Sequence, residues 1–183
     1  MRTLLPLLLI TVCGAPLPAL ADQDDPRLDA LFRQLHRTED PGEAAFLQAG
    51  IWHVWYDIED EQARDLMSQG VQALVEERYR AAVDLFGRLI EQQPDYAEAW
   101  NRRATTYYLM GDYERSLRDI DRVLELEPRH FGALSGRGLC LRELGRLREA
   151  MHALRAALAI NPHLEEVQLE IIRLEARIRQ RQT

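Results

Sequence analysis

The side chains that most often carry out chemistry are sparse in this sequence and widely spaced. The five histidines never form the His-x-x-x-His pair that binds zinc on a helix, and Cys13 and Cys140 cannot form a Cys-x-x-Cys site. The sequence contains no lysine, because all 23 basic residues are arginines. It therefore lacks both the lysine of a phosphate-binding loop and a Schiff-base lysine. We accordingly predict no metal site and no lysine chemistry.

Two side chains remain as candidate nucleophiles, and neither has the setting of a catalytic residue. Ser135 lies in Gly-Ala-Leu-Ser-Gly (residues 132–136), which resembles the nucleophile elbow of hydrolases, but the glycine spacing is wrong and no strand precedes it. Cys140 is expected to pack as a small apolar residue near the middle of a helix. The sequence therefore predicts a protein that is not an enzyme and needs no cofactor.

The first 21 residues differ in composition from the rest. Arg2 precedes an apolar run from Leu4 to Val12, and residues 19–21 (Ala-Leu-Ala) have the A-x-A form of a signal-peptidase site. This pattern predicts a signal peptide cut after Ala21, and hence a periplasmic or secreted mature protein with no membrane insertion. An uncleaved anchor is the alternative, disfavoured because prolines and a glycine interrupt the apolar run.

The charge balance restricts the partners of the mature chain. The whole sequence has 30 acidic and 23 basic residues and a formal charge of −7. A nucleic-acid-binding protein needs basic surface to neutralise phosphates, so nucleic acid is not an expected partner. After cleavage Cys140 is the one remaining cysteine, and the fold must be held together by packing rather than by an internal disulfide.

A 34-residue repeat organises the second half of the chain. Pro94, Pro128 and Pro162 are each 34 residues apart. Small residues recur twenty-four and twelve positions before each proline, and a large apolar residue recurs eight positions before it: Gly70, Ala104 and Gly138; Ala82, Ser116 and Ala150; Phe86, Ile120 and Leu154. The periodicity predicts two amphipathic helices per repeat, which in the second repeat are Ala97 to Leu109 and Tyr113 to Leu126. The proline ends the second helix of each pair.

These columns resemble the tetratricopeptide repeat (TPR), over about Ala63 to His163. The second repeat carries the resemblance best, through Trp100, Ala104, Tyr107, Gly111-Asp112-Tyr113, Ser116 and Pro128. The first departs from it at Glu77, where the others have a turn glycine. The resemblance implies an all-α fold, a right-handed α-solenoid of three helical hairpins (63–96, 97–130 and 131–164), whose concave face binds peptides or proteins.

The repeats are flanked by two further predicted regions. Residues 22–62 form an N-terminal helical cap region, with helix starts at Asp25-Pro26 and Asp40-Pro41. Its Trp52 and Trp55 either form an exposed partner patch or pack against the first repeat, and packing is favoured. Residues 165–183 form a C-terminal capping helix that gives the last repeat a polar outer side.

The resemblance also implies which side chains line the concave face. They are Arg64, Met67, Val71, Leu74, Glu98, Asn101, Arg102, Thr105, Tyr108, Ser135, Leu139 and Arg142. The lysine/asparagine carboxylate clamp of some family members is absent, because its columns hold Met67, Val71, Arg102, Gly132 and Gly136. Arg102 and Arg142 either bind a ligand carboxylate or pair with nearby acids of the chain, and the sequence leaves both open.

The sequence thus predicts an exported, non-catalytic scaffold that binds a protein or peptide in its concave groove. It leaves the oligomeric state open, and a monomer is favoured. The alternative is a self-assembling component of an envelope or secretion complex. In that case the region around Trp52 and Trp55 and the C-terminal helix would be the contact surfaces.

Overall fold

The computed structural model describes residues 25–180, all of whose regular structure is helical. The nine helices of this part of the chain are α1 (Pro26–Arg37), α2 (Pro41–Tyr56), α3 (Glu61–Val75), α4 (Tyr79–Gln92), α5 (Ala97–Leu109), α6 (Tyr113–Leu126), α7 (Phe131–Glu143), α8 (Leu147–Ile160) and α9 (Glu165–Gln180). The all-α prediction is confirmed, and α5 and α6 have the bounds expected for the second repeat. The predicted signal peptide lies outside the described residues.

Aspartate side chains begin several of these helices. Asp25, Asp40, Asp60 and Asp112 each accept a hydrogen bond from a backbone N–H in the first turn of the helix that follows. Prolines at the first positions of α1 and α2 strengthen those starts, as the sequence predicted. No helix among residues 25–180 is long and apolar enough to cross a membrane.

Close contact between small and large residues packs the two helices of a repeat. A Cβ atom at Gly70 would lie 2.5 Å from the ring of Phe86, and one at Gly138 would lie 2.5 Å from Leu154. In the second repeat the Ser116 hydroxyl donates to the carbonyl oxygen of Ala104 at 2.8 Å. These contacts explain why each repeat has small residues and a large apolar residue at fixed positions.

The turn between the two helices of each repeat needs a left-handed backbone. Gly111 and Gly145 have φ values of 76° and 74°, and Glu77 adopts 56° at the equivalent position of the first repeat. Glycine takes this conformation without strain, whereas a side chain crowds the following carbonyl. The departure of the first repeat from the family pattern therefore leaves its geometry intact and costs stability locally.

The helical pair α1–α2 is placed differently from the prediction. Trp55 is 4% exposed, so the pair packs as expected and Trp55 is not part of an exposed patch. The pair does not rest on the first repeat alone, since α2 also lies against α5 and the apolar cluster of the pair includes Phe131 and Leu164. Each repeat contributes one contact to the pair, from the residue two positions after its proline. These residues are Tyr96, His130 and Leu164, so the pair packs against all three repeats.

At the other end of the chain α9 packs on α8. Leu174 and Val167 of α9 are buried with Leu154 and Leu147 of the third repeat. The helix therefore covers the last repeat, but its outer side is not wholly polar as expected, because Leu169 and Ile172 are exposed.

Candidate binding groove

The predicted concave-face residues fall into three groups in the structure. The four from the first repeat belong mostly to its core: Met67 is buried, Val71 and Leu74 pack against the buried cluster, and Arg64 is exposed. The residues near the N-terminal ends of α5 and α7 are covered by α2. The residues further along α5 and α7 line cavities that remain open.

The open part of the face, which we call the open groove, consists of Thr105, Tyr108, Ser135, Leu139 and Arg142 with Leu169 of α9. A cavity of about 520 Å³ lies between α7 and α9, and one of about 320 Å³ lies between α5 and α7. Tyr108, Ser135 and Leu139 line both cavities, so the two adjoin. Apolar side chains, among them Ile120, Leu154 and Val167, line the cavities as well.

Arg142 is held at the wall of the open groove by partners from three helices. Its guanidinium lies 3.0 Å from a carboxylate oxygen of Glu170, donates to the Tyr108 hydroxyl at 3.1 Å and also pairs with Glu143. Burial acts against its charge, but the hydrogen bonds that Arg142 donates to the carboxylates of Glu170 and Glu143 outweigh burial and raise its pKa. The structure thus pairs Arg142 with acids of the chain, one of the two arrangements that the sequence left open.

The hydroxyl groups of the open groove are oriented by the helices that carry them. Thr105 donates to the carbonyl oxygen of Asn101 at 2.9 Å, and Ser135 donates to that of Phe131 at 2.8 Å. Their lone pairs remain available to a donor in the groove. Burial raises the pKa of Tyr108 further above neutrality, so its hydroxyl is a neutral hydrogen-bonding group of the groove.

The other part of the concave face lies beneath α2, and we call it the covered surface: Glu98, Arg102, His130, Phe131 and Gly132. The side chain of Glu98 is fully buried and accepts hydrogen bonds from Arg102 at 2.7 Å and from Asn101 at 2.9 Å. Glu98, Asn101 and Arg102 were predicted to contact a partner, and in this structure they contact one another. Arg102 is also paired with an acid of the chain.

His130 links this network to the start of α7. Its Nδ1 accepts the backbone N–H of Ala133 at 3.0 Å, so a neutral ring carries its proton on Nε2, which lies 3.1 Å from Glu98. The ring therefore caps α7 and donates to a buried carboxylate. Above it, the indole of Trp55 stacks at a centroid distance of 4.2 Å and an angle of 7°.

Two further residues of α2 complete the cover. The indole of Trp52 occupies the space beside Gly132, where a Cβ atom would lie 2.8 Å from its Cη2. The guanidinium of Arg102 lies 4.9 Å from the ring centre of Tyr56, as a cation–π pair. Sequence reasoning missed this surface, although two signals were present: three aromatic residues on one face of α2, and a glycine in a clamp column.

The described residues contain no group of three or more His, Cys, Asp or Glu side chains placed to hold a metal ion. Cys140 is buried and its thiol lies 3.2 Å from the hydroxyl of Ser116. Burial raises the pKa of this thiol, and the reactive thiolate is therefore disfavoured.

Comparison with known proteins identifies the repeat. Two family models described as tetratricopeptide repeat match residues 85–118 and 102–165. A TPR repeat-containing protein of Rhizobium etli is 45% identical over 119 residues, which are 65% of this chain and 58% of that protein. Tetratricopeptide repeat protein 36 of Mus musculus is 31% identical over 130 residues, 70% of this chain and 61% of that protein. The chain thus spans about three fifths of the length of these relatives.

Solved structures show the same fold. The first TPR of Spaghetti (RPAP3), bound to the HSP90 peptide SRMEEVD, has a TM-score of 0.63 at 22% identity and covers 65% of this chain and 95% of its own. The type III secretion chaperone SycD of Yersinia enterocolitica, in complex with a peptide of the translocator YopD, has a TM-score of 0.62 at 16% identity, with coverage of 69% and 99%. At these identities the likeness concerns the fold alone.

Proposed function

Because this chain is a tetratricopeptide repeat protein, we propose that it is a non-catalytic scaffold that binds a protein or peptide in its open groove. The observation that carries the proposal is the pair of adjoining cavities that Tyr108, Ser135 and Leu139 line together. The resemblance to the family implies that all three residues belong to the concave face, which binds ligands in other members. The signal sequence predicted for residues 1–21 supports a site of action in the periplasm or outside the cell.

The groove suits a ligand that inserts apolar side chains. Leu139, Leu169 and Val167 offer apolar contact, and each ligand side chain that becomes buried contributes about 1.5–3 kcal/mol. Tyr108 and Ser135 add polar groups that fix the orientation of a peptide backbone. Arg142 is already paired with two carboxylates of the chain. We therefore assign it to the wall of the groove and not to the binding of a ligand carboxylate.

Structures of similar fold support a peptide as the ligand class. The solved structures of the first TPR of Spaghetti (RPAP3) and of SycD each include a bound peptide. The buried Glu98–His130 pair resembles an acid–base pair in composition, but it lies beneath α2 and its hydrogen bonds are made within the chain. The proposal therefore assigns that pair to structure and not to catalysis.

The test is affinity capture from an envelope extract, followed by mass spectrometry. Mature protein (Asp22 to Thr183) is compared with Leu139→Arg, which places a charged side chain where both cavities meet. Val75→Arg is the matched control, since Val75 is 73% exposed at the end of α3. The proposal predicts a partner that is retained by the unmodified protein and the control and is lost by Leu139→Arg. Equal retention by all three proteins would refute the groove as the binding surface.

One observation favours the alternative, a self-assembling component of an envelope complex. Leu169 and Ile172 of α9 are 53% and 60% exposed, and their spacing of three places them on the same helix face. Light scattering after size-exclusion chromatography distinguishes the two functions. A scaffold that binds foreign peptides should have the mass of a monomer at every concentration. A molar mass that rises with protein concentration, and that returns to the monomer value in Ile172→Glu, would favour assembly.

A further inference from the structure

We propose that the two adjoining cavities of the open groove select two different side chains of one ligand segment. The α5–α7 cavity takes an aromatic ring, and the α7–α9 cavity takes a basic side chain about three positions away in the ligand. The inference rests on the proposed function and specifies the chemistry of the ligand. The ligand is then opposite in charge to SRMEEVD, the peptide bound to the first TPR of Spaghetti (RPAP3).

Two columns of the 34-residue repeat supply one wall of each cavity. The first column holds Glu98, Gly132 and Glu166, and the second holds Arg102, Gly136 and Glu170. The α5–α7 cavity has the two glycines, and the α7–α9 cavity has Glu166 and Glu170. The two cavities therefore lie at equivalent places in successive repeats but differ in the chemistry of this wall.

The α5–α7 cavity suits a ring, because its lining is uncharged and its α7 wall contains two glycines. None of the described side chains that line its volume of about 320 Å³ carries a charge. The chain itself shows what this wall accommodates, since the ring of Trp52 fills the space beside Gly132. One turn further along α7, Gly136 borders the open cavity. A ligand ring placed there lies beside Tyr108 and Leu139, and aromatic pairs in tilted or edge-on contact are favourable.

The α7–α9 cavity differs in that charged side chains line it. Glu170 lies 3.0 Å from Arg142 and 3.5 Å from Arg173, so these three charges are paired within the chain. Glu166 is exposed, lines the same cavity and has no hydrogen bond or ion pair with another described residue. The carboxylate of Glu166 is therefore available to an arginine or lysine of a ligand, as a charge-assisted hydrogen bond.

A neighbouring acid shows which property of Glu166 matters. Glu165 and Glu166 are both in the first turn of α9, where a negative charge favours the helix N-terminus. Of these two residues, Glu166 alone lines the cavity. A comparison of the two positions thus separates a role in ligand binding from a role in helix stability.

The arrangement of the cavities sets the spacing in the ligand. The cavities lie on the two sides of α7 and share Tyr108, Ser135 and Leu139. Packed helices are about 8–10 Å apart, and an extended chain covers about 3.3 Å per residue. An extended ligand that places its aromatic residue in one cavity therefore reaches the other about three residues later.

The first experiment selects ligands from a display library of short random peptides. Peptides are captured on mature protein and depleted on Leu139→Arg, whose circular dichroism must match that of the unmodified protein. The enriched sequences should contain an aromatic residue with arginine or lysine about three positions away, in either chain direction. Enriched peptides that carry an acidic residue at that spacing, or that lack an aromatic residue, would overturn the proposal.

The second experiment measures the most enriched peptide, labelled with fluorescein, by anisotropy. Glu166→Arg replaces an attraction by a repulsion and should raise the dissociation constant at least about fivefold. Glu165→Arg is the matched control and should change the dissociation constant by less than about twofold. A peptide whose basic residue is replaced by glutamate should regain affinity for the Glu166→Arg protein. Equal effects of the two substitutions, or no recovery with the acidic peptide, would refute Glu166 as the contact.

The peptide SRMEEVD serves as a probe of opposite charge. It should bind the unmodified protein at least about tenfold more weakly than the selected peptide, because its acidic residues meet the carboxylate of Glu166. Comparable affinities of the two peptides would contradict the proposed selectivity.

The outcomes separate this inference from the proposed function. If the selection yields no peptide whose binding depends on Leu139, the open groove is not a peptide-binding surface, and both proposals fail. If it yields such peptides without the aromatic and basic pattern, the groove binds peptides and only the selectivity of the two cavities is refuted.

Discussion

The two parts of the concave face are built from the same two helices and differ in what completes them. In the open groove, Tyr108, Ser135 and Leu139 surround unfilled cavities between α5, α7 and α9. On the covered surface, one turn or two nearer the N-terminal ends of α5 and α7, α2 supplies three aromatic rings and the carboxylate of Glu98 is fully buried. Position along a repeat helix therefore decides whether a concave-face residue is covered by α2 or borders an open cavity.

The largest expected effect separates the two parts by stability. Glu98→Ala leaves the donors of Asn101, Arg102 and His130 buried without their acceptor, and we expect a loss of about 3–5 kcal/mol in the free energy of unfolding. The measurement is urea denaturation followed by circular dichroism. Glu166→Ala, an exposed acid at the open groove, is the control. A loss below about 1 kcal/mol for Glu98→Ala would show that the covered network is not structural.

A smaller effect compares the two glycines of α7. Gly132→Ala forces Trp52 to move and should cost roughly 1–3 kcal/mol. A Cβ atom at Gly136 would meet Ile120 at an ordinary contact distance of 3.5 Å, so Gly136→Ala should stabilise the helix by up to about 1 kcal/mol. In thermal unfolding, the midpoint should fall for Gly132→Ala and rise for Gly136→Ala. Shifts of the same sign would contradict the placement of Trp52 against Gly132.

The helices could be predicted from the sequence because their signals are local. Prolines and turn glycines end the helices, and the small and large columns recur every 34 residues, so α5 and α6 were located to the residue. The open groove followed from the family geometry of the same columns. The apolar first-repeat residues Met67, Val71 and Leu74 could not be assigned in this way, because an apolar helix face fits a core and a groove equally well.

The covering of Glu98 and Arg102 by α2 could not be predicted, because it depends on contacts between distant parts of the chain. Tyr56 contacts Arg102, and Trp55 contacts His130, but the residues of each pair are far apart in the chain. The 34-residue repeat does not relate them. Glu98 on an amphipathic helix reads as a solvated or ligand-binding residue until the helix that buries it has been placed. The placement of α1–α2 is therefore the information that the structure adds.

The turn of the first repeat lies outside both parts of the concave face, and a substitution there measures the cost of its backbone strain. Glu77→Gly relieves the left-handed strain in the turn of the first repeat and should stabilise the protein by about 1 kcal/mol. Because Glu77 is at the turn between α3 and α4, the effect should not involve the concave face. Urea denaturation followed by circular dichroism measures the change in the free energy of unfolding. Destabilisation would show that the side chain of Glu77 has a favourable role that outweighs its backbone strain.

The smallest expected change in stability belongs to the open groove. Leu139→Arg should alter the free energy of unfolding by less than about 0.5 kcal/mol, as for a surface substitution, because its side chain borders open cavities. The same substitution should remove the captured partner. Stability close to that of the unmodified protein, together with lost capture, identifies a residue that serves binding and not folding. A loss above about 2 kcal/mol would place Leu139 in the core instead.

The most direct test of the division of the concave face is the rate of thiol labelling at one position in each part. Single cysteines replace Ser135 in the open groove or Phe131 on the covered surface, in a Cys140→Ala background. Because Phe131 is 2% exposed and its ring contacts Trp52 and Trp55 of α2, its cysteine should react at least about tenfold more slowly than the cysteine at position 135, and Trp55→Ala should reduce the difference. Equal rates in the unmodified protein would contradict the account, since both parts of the face would then be open to solvent and to partners.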